Sequence, residues 1–345
     1  MASFEIRRIV GVLVERAGLH RVRLDDGSCA YNLSELTGPV RIGDDVVVNT
    51  TAVELGLGTG GSHVVHWNLS RSEPVTNNRP GQVMKARYTS TQTNVDAVEP
   101  RLLGGVERLT AIPVIVCSLH SQMGIAAAAF HRDAPTRRLA YVMTDGAALP
   151  IAISELVYEL KARRVLCGTV TAGHAFGGDL EAVSLAGGLL AAHQILNADA
   201  IIVAMGPGAV GTGTKYGTTA LEVVESLAWV RRLGGHPILA LRVSDSDPRT
   251  RHEGLSHHSR TALEMLALDG AIDSVEIGVP TDYVLPDLKL DRARTTTVDV
   301  REIANLMDAL GIQITTMGRD VRADPAFFQF AAAAGRVGAR RLVGP

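Results

Sequence analysis

The apolar residues of the first 70 positions occur in short β-branched runs that are separated by turn signals. Asp25–Ser28, Thr37–Pro39 and Gly43–Asp45 are such turns. Several short strands with turns in one small segment are typical of a compact barrel. We therefore predict a small N-terminal β-barrel domain over residues 1–70.

From about Ala111 onward, longer apolar runs alternate with helix-like stretches. The runs are continuously apolar, which is typical of strands covered on both faces. This alternation predicts an α/β fold over residues 111–345, with a doubly wound, mostly parallel, Rossmann-like sheet and a helical tail. The predicted strands are Ile112–Ser118, Leu139–Thr144, Val165–Val170, Ala200–Met205, Pro237–Val243 and Ala271–Ile277.

Helix signals lie between these strands and in the tail, where residues that cap a first turn precede apolar stretches. Residues 71–110, which include the polar stretch Ser72–Arg79, are predicted to be a linker leading into the second domain. The predicted helices open near Pro150, cover Leu180–Leu196 and Thr218–Leu233, and begin after Ser256, at Asp299 and at Asp324.

Composition argues against several classes of partner. The net charge of the 345-residue chain is −2 and only 4% of its residues are aromatic, so we expect no nucleic-acid partner. The first residues lack the apolar core of a signal peptide, and polar residues interrupt every long apolar stretch. Three cysteines without a CxxC spacing indicate a reducing compartment. We expect a cytoplasmic protein with no membrane partner.

Polar residues follow five of the predicted strands. In an open parallel sheet the carboxyl ends of the strands lie on one edge, where ligands bind. We therefore predict a functional crevice at that edge. Its segments are Ser118–Ser121, Thr144–Gly146, Thr171–Asp179, Gly206–Lys215 and Ser244–Asp247.

The glycine-rich loop after the fourth predicted strand matches the spacing of a dinucleotide fingerprint but lacks its context. No acidic residue stands at the usual offset, and Tyr216 follows Lys215 where a Walker A loop has serine or threonine. Converging backbone amides, threonine hydroxyls and a lysine suit an anion, whereas the alternative is a tight turn. The predicted anion ligands are Gly206, Gly208, Gly211, Thr212, Gly213, Thr214 and Lys215, joined by Gly177, Gly178, Asp247 and Arg249.

His174 is the first candidate for proton transfer, because it lies at a strand end before two glycines. Asp179 is its predicted partner, although it could instead cap a helix beginning at Leu180. Asp145, His120 and His258 are further catalytic candidates. His252 and His257 lie close to His258 in sequence, but no spacing matches a zinc signature, so we predict no metal site.

Four stretches of the chain resemble a bacterial family known only as domain of unknown function 3866. The resemblance spans nearly the whole chain and implies a bacterial cytoplasmic protein. It implies no activity, because the family is defined without one. The stretches are Asn49–Gly61, Gly168–Val183, Ala204–Lys215 and Gly254–His258.

Two hypotheses of different classes follow from these residues. The first is an enzyme acting on a small anionic or phosphorylated metabolite at the carboxyl edge of the sheet. The alternative is a non-catalytic metabolite-binding or assembly protein whose barrel docks a partner. A small anionic metabolite and a second copy of the chain are the expected partners, and the residues do not identify a cofactor.

Overall fold

The computed structural model describes residues 1–57, 60–72, 80–102, 104, 108–284 and 294–343. Within these residues the chain forms two compact units, Met1–Asp96 and Ala97–Pro345. Residues 73–79 of the predicted linker lie outside the described part. In that part, no helix is long and apolar enough to cross a membrane.

The first unit contains a closed five-stranded barrel, which confirms the predicted fold of this segment. Its strands follow the order β1-β2-β3-β5-β4, and β6 pairs antiparallel with β7. Ile9, Val22 and Val48 are among the fully buried side chains that fill the barrel. The elements are β1 (Phe4–Arg16), β2 (Leu19–Leu24), β3 (Cys29–Asn32), α1 (Ser34–Thr37), β4 (Asp45–Asn49), α2 (Thr51–Glu54), β5 (Ser62–Asn68), β6 (Val83–Lys85) and β7 (Thr93–Val95).

The second unit is built on an eight-stranded sheet in the order β11-β10-β9-β12-β8-β13-β16-β17, and every neighbouring pair is parallel. The predicted parallel α/β fold is therefore confirmed. The elements are β8 (Pro113–Cys117), α3 (His120–Asp133), β9 (Leu139–Thr144), α4 (Glu155–Ala162), β10 (Gly168–Ala172), β11 (Leu180–Ala182), α5 (Leu185–Gln194), β12 (Ala200–Met205), α6 (Glu222–Arg232), β13 (His236–Ala240), β14 (Val243–Ser244), β15 (Gly254–Leu255), α7 (His257–Leu268), β16 (Glu276–Pro280), β17 (Arg294–Val298), α8 (Ile303–Leu310) and α9 (Pro325–Val343).

Helices cover both faces of this sheet. Buried side chains of α3, α4, α8 and α9 form one core with alternate strand residues such as Ile115 and Tyr141. Buried side chains of α5, α6 and α7 form the other core with the intervening residues, such as Val114 and Ala140. Because both faces are covered, the strands carry apolar side chains at successive positions.

The connections after β9 and β12 leave the sheet in opposite directions. The chain goes from β9 to its neighbour β10, whereas from β12 it passes across β8 to β13. In open α/β sheets such a divergence of adjacent connections creates a crevice at the carboxyl ends of the strands. The ends of β9 and β12 therefore mark the place to look for a ligand site.

The prediction of a helix beginning at Leu180 is wrong. Leu180–Ala182 is strand β11, which pairs parallel with β10, and the helix begins at Leu185. Ser184 caps this helix by accepting a hydrogen bond from the backbone N–H of Gly187. The apolar run thus contains a short edge strand and a helix, which periodicity cannot separate in so short a segment.

Helix α9 approaches α3 closely because glycine occupies the contact. A β-carbon at Gly335 would lie 2.2 Å from the carbonyl oxygen of Ala126, which belongs to the backbone of α3. A β-carbon at Gly338 would lie 2.9 Å from Cδ1 of Ile115, the end of a side chain that can rotate. Of the two glycines, Gly335 is therefore the less replaceable.

We expect Gly335→Ala to lower the free energy of unfolding by about 2 kcal/mol, because the backbone of α3 must move to accept a methyl group. Gly338→Ala is the matched control on the same helix and should cost less, since Ile115 can change rotamer. Chemical denaturation followed by circular dichroism measures both. Equal losses in the two variants would contradict the close backbone contact.

Candidate functional site

The loops that follow β9, β12, β8 and β13 share one edge of the sheet, because these four strands are consecutive neighbours in it. Four of the five predicted segments therefore belong to the same edge, and the fifth, Thr171–Asp179, joins them because it follows β10, the neighbour of β9. Their side chains nevertheless differ greatly in what they contact.

His120, a predicted catalytic residue, has both ring nitrogens occupied. Nε2 lies 2.7 Å from Ser154 Oγ, and Nδ1 lies 3.2 Å from the carbonyl oxygen of Met205. Tyr141 packs beside the ring and donates its own hydrogen bond to the same carbonyl. Burial lowers the pKa of His120 to about 4, so the ring is neutral near pH 7. In this arrangement His120 ties α3 to the end of β12.

His174 and Asp145 meet through the backbone. The carboxylate of Asp145 accepts a hydrogen bond of 2.8 Å from the backbone N–H of His174, and the residue His174 is exposed. A β-carbon at Gly173 would lie 2.4 Å from Asp145 Oδ2, so glycine is needed for this approach. This hydrogen bond joins the loops that follow β9 and β10, which were predicted to lie on the same edge of the sheet.

Asp179 does not pair with His174, and that prediction is wrong. Its carboxylate accepts hydrogen bonds of 2.9 Å from both the backbone N–H and the hydroxyl of Thr169, and it forms an ion pair with Lys161. Thr169 lies near the beginning of β10. The chain turns back between β10 and β11, and this turn brings Asp179 to Thr169. Asp179 thus fixes the edge strand.

The backbone N–H groups of Gly177 and Gly178 are also engaged within this turn. Gly177 donates to Glu181 Oε1 at 2.6 Å, and Gly178 donates to Thr171 Oγ1 at 3.1 Å. These predicted anion ligands already have partners in the described structure. Their observed role is to return the chain to β11.

The glycine-rich loop after β12 is an exposed hairpin. Thr212 N–H donates to the carbonyl of Gly217 at 2.7 Å, and Gly211 bridges to Thr218. Gly208 and Gly213 have φ values of 89° and 80°, which favour glycine. Backbone hydrogen bonds within the loop order it. The tight turn, which was predicted as the alternative to an anion site, is therefore present.

Both ends of this loop contact neighbouring segments of the edge. Gly206 lies so close to the carbonyl of Ala148, after β9, that a β-carbon would be 2.2 Å from it. Lys215 forms a 2.6 Å ion pair with Glu264 of α7, and the guanidinium carbon of Arg251 would be 3.8 Å from a β-carbon at Gly213. The loop therefore extends from the end of β9 toward the helices that follow β13.

Asp247 is the centre of an arginine cluster after β13. Its side chain is fully buried and accepts two hydrogen bonds of 2.8 Å from Arg249 and one of 3.1 Å from Arg319. Arg319 also donates to Asp324 at 3.1 Å, and Ser244 donates to Asp324 at 2.7 Å. The hydrogen bonds from Arg249 hold the pKa of Asp247 well below its usual range, so it stays ionised.

Arg242 adds a third guanidinium to these two carboxylates. It is buried, its NH2 lies 3.5 Å from Asp247, and its NH1 lies 3.3 Å from Nδ1 of His258. Its Nε is buried and has no hydrogen-bond partner among the described residues. Burial lowers the pKa of Arg242 to about 10, so it remains protonated near pH 7. The cluster carries one positive charge in excess.

Three histidine rings lie against this cluster. The ring centroids are 4.9 Å apart for His252 and either of the other two, and 4.3 Å apart for His257 and His258. Nδ1 of His252 lies 2.7 Å from the hydroxyl of Ser256, the residue that caps α7. Burial and the nearby charge of Arg242 lower the pKa of both His252 and His258 to about 3. These two rings are therefore neutral near pH 7.

Glu222 is a residue of the crevice that the sequence analysis did not select. It opens α6, and its carboxylate accepts a hydrogen bond from the hydroxyl of Thr144 at the end of β9. A β-carbon at Gly146 would lie 2.4 Å from Glu222 Oε2, which shows how closely this loop covers the carboxylate. Burial, helped by the charge of Asp145, raises the pKa of Glu222 to about 7.

The sequence contained one signal for Glu222, namely an acidic residue in the first turn of the helix that follows β12. Arg242, Arg319 and Asp324 were also missed. Arg319 and Asp324 come from the tail, 72 and 80 residues after the partners that they bind in the cluster. No local spacing could have indicated these contacts.

One family model matches the chain. It carries the description "Protein of unknown function (DUF3866)" and aligns with residues 29–335, which include the last three strands of the barrel and the whole eight-stranded sheet. No curated protein matches the chain. The family description thus agrees with the resemblance noted in the sequence and adds no activity to it.

We expect Glu222→Gln to change the pH dependence of stability. The folded protein holds the Glu222 proton to about pH 7, above the ordinary pKa of 4.5, so its stability falls as the pH rises through this range. The variant cannot ionise and should be more stable than the wild type by about 1–3 kcal/mol at pH 8.5, with no gain at pH 4. Denaturation curves at both pH values measure this.

Glu225→Gln is the matched control, because Glu225 is exposed on the same helix. The charge of Glu225 contributes less than burial to the raised pKa of Glu222, so this variant should change the pH profile far less than Glu222→Gln does. A Glu222→Gln profile that runs parallel to that of the wild type between pH 4 and pH 8.5 would show that Glu222 ionises normally.

Proposed function

We propose that this chain, which belongs to the DUF3866 family of proteins of unknown function, is an enzyme that acts on a small anionic or phosphorylated metabolite at the carboxyl edge of its sheet. One observation carries the proposal. The Nε donor of the buried Arg242 has no partner among the described residues, and it lies in a cluster whose guanidinium groups outnumber its carboxylates.

A buried donor without a partner is unfavourable, and a buried cation needs a counter-charge. Arg249 donates hydrogen bonds to Asp247, and Arg319 donates to Asp324. Arg242 lies 3.5 Å from Asp247, which is a longer contact. A phosphate or carboxylate group supplies both the missing acceptor and the missing negative charge. This is why we assign an anion, and not a neutral ligand, to the site.

Arg251 and the glycine-rich loop supply a second, exposed side of this site. Arg251 forms no ion pair with any residue that the structure describes, and its guanidinium lies against Gly213. Thr212 and Thr214 flank Gly213 in this loop, and their hydroxyls lie 2.9 Å from each other. A guanidinium and hydroxyl donors together favour a phosphate group, which accepts from several donors at once.

Glu222 and His174 supply the proton-transfer chemistry that the proposal requires. A carboxyl group with a pKa of about 7 can both accept and give a proton at neutral pH, which is the optimum for general acid–base catalysis. Glu222 contacts the end of β9, where Asp145 also holds the backbone of His174. We assign Glu222 the role of proton donor or acceptor and His174 the role of an exposed second group.

Inorganic phosphate tests the anion site, and isothermal titration calorimetry in a low-salt buffer is the measurement. We expect Arg251→Gln to weaken phosphate binding by about 10-fold or more, because a hydrogen bond to a charged group contributes about 1.5–3 kcal/mol. Arg251 forms no ion pair with the residues that the structure describes, so the variant should keep the stability of the wild type.

Arg232→Gln is the matched control for this experiment. Arg232 is exposed at the end of α6 and lies over the ring of Trp229, so its loss removes the same charge away from the cluster. It should leave phosphate binding unchanged at constant ionic strength. Equal weakening in both variants, or no phosphate binding by the wild type, would contradict the proposed site.

One observation favours the second candidate function, a non-catalytic assembly protein with a docking barrel. The outer face of the barrel exposes apolar side chains in alternation along β1 and at the end of β5, and such patches often mark interfaces. The simplest occupant of this face is a second copy of the chain. The residues are Phe4, Ile6, Val10, Trp67 and Leu69.

Light scattering after size-exclusion chromatography tests this candidate. If the face joins two copies, the wild type should be a dimer and Ile6→Asp should be a monomer, because a charge would be buried in the interface. Leu268→Asp changes an even more exposed apolar residue, on α7, and should leave the mass unchanged. A monomeric wild type would exclude self-association through β1.

A further inference from the structure

The three histidines beside the arginine cluster have the geometry of a metal site. One nitrogen from each of His252, His257 and His258 lies within 4.8 Å of the other two. Nitrogen ligands of a tetrahedral metal ion lie about 3.3 Å apart, given metal–nitrogen bonds of about 2.0 Å. Small rotations of the rings would close this difference. We propose that these three side chains bind a divalent transition-metal ion.

An unpartnered nitrogen points to a missing ligand at this place. Nε2 of His257 is buried and has no hydrogen-bond partner among the described residues. Its ring packs against the other two rings. A neutral imidazole nitrogen can donate its lone pair to a metal ion, and a transition-metal ion is the partner that several imidazoles at one place bind best.

Ser256 orients His252 for this role. Its hydroxyl lies 2.7 Å from Nδ1 of His252, which leaves Nε2 for the metal. Metal-binding histidines usually donate their second N–H to such an oxygen, and the contact fixes both the ring and its tautomer. The same hydroxyl accepts from the backbone N–H of His258, so it also fixes the start of α7, which carries the other two ligands.

His258 links the metal to Arg242. Guanidinium groups only donate, so the 3.3 Å contact from Arg242 requires an unprotonated Nδ1 and places the proton of the neutral ring on Nε2. Binding through Nε2 moves that proton to Nδ1, and binding through Nδ1 replaces the guanidinium, so either mode releases Arg242 NH1. The metal would thus free a donor that the proposed anion can use.

Imidazole ligands select zinc, cobalt, nickel or copper over magnesium and calcium, which prefer oxygen. Three nitrogen ligands leave one tetrahedral position open, as in catalytic zinc sites. The inference goes beyond the proposed anion site, because it rests on the imidazoles and not on the guanidinium groups. Each can therefore be tested without the other.

Titration of Co²⁺ into untagged, EDTA-treated protein in a phosphate-free buffer tests the metal site. We expect one ion per chain and the intense visible absorption of a tetrahedral complex, which hydrated Co²⁺ does not show. His252→Gln, His257→Gln and His258→Gln should each weaken binding by at least about 100-fold. His131→Gln, at the end of α3, is the matched control and should bind as the wild type does.

The wild-type spectrum decides the inference even if a variant fails to fold. A spectrum that remains that of the hydrated ion, or a His131→Gln variant that loses binding as the others do, would overturn it. Circular dichroism of the metal-free variants separates lost ligands from lost structure. Phosphate titration of the EDTA-treated protein tests the arginine cluster independently, so the failure of either proposal leaves the other identifiable.

Discussion

The carboxylate of Asp247 holds together the part of the sheet edge on which both proposals rest. It is fully buried and neutralises guanidinium groups from the loop after β13 and from the tail. Arg249 follows it by two residues, whereas Arg319 comes from the segment before α9. Removal of Asp247 would leave three guanidinium groups close together in a poorly solvated place with only the carboxylate of Asp324 to balance them, which is strongly unfavourable. The ion pairs thus position Arg242 beside His258.

Charge and burial divide the sheet edge into two chemically different regions. At the ends of β9 and β12, Glu222 lies near Asp145, and burial together with that negative charge favours the protonated carboxyl group. After β13, burial and guanidinium groups favour neutral imidazole at His252 and His258. In the enzyme that we propose, the first region would exchange protons and the second would hold the anion. The glycine-rich loop connects the two regions.

Some strand-end residues have a structural role because their polar atoms are satisfied within the protein. His120 ties α3 to β12, and Asp179 fixes β11 beside β10. Lys215 pairs with Glu264, so the lysine of the glycine-rich loop is bound to α7. Position at a strand end therefore selects candidates, but the partners of each side chain decide which of them can still bind a ligand.

The parallel sheet, the barrel and the common edge of the strand ends could be predicted from the sequence, because apolar runs and turn residues are local patterns. Even the cap at Ser256 follows from neighbouring residues. The partners of Asp247 and Ser244 could not be predicted, because Arg319 and Asp324 lie 72 and 80 residues further along. The raised pKa of Glu222 was equally hidden, since it depends on burial in the folded protein and on the nearby charge of Asp145. Contacts of this kind exist only after the chain has folded, and they decide which polar residues remain reactive.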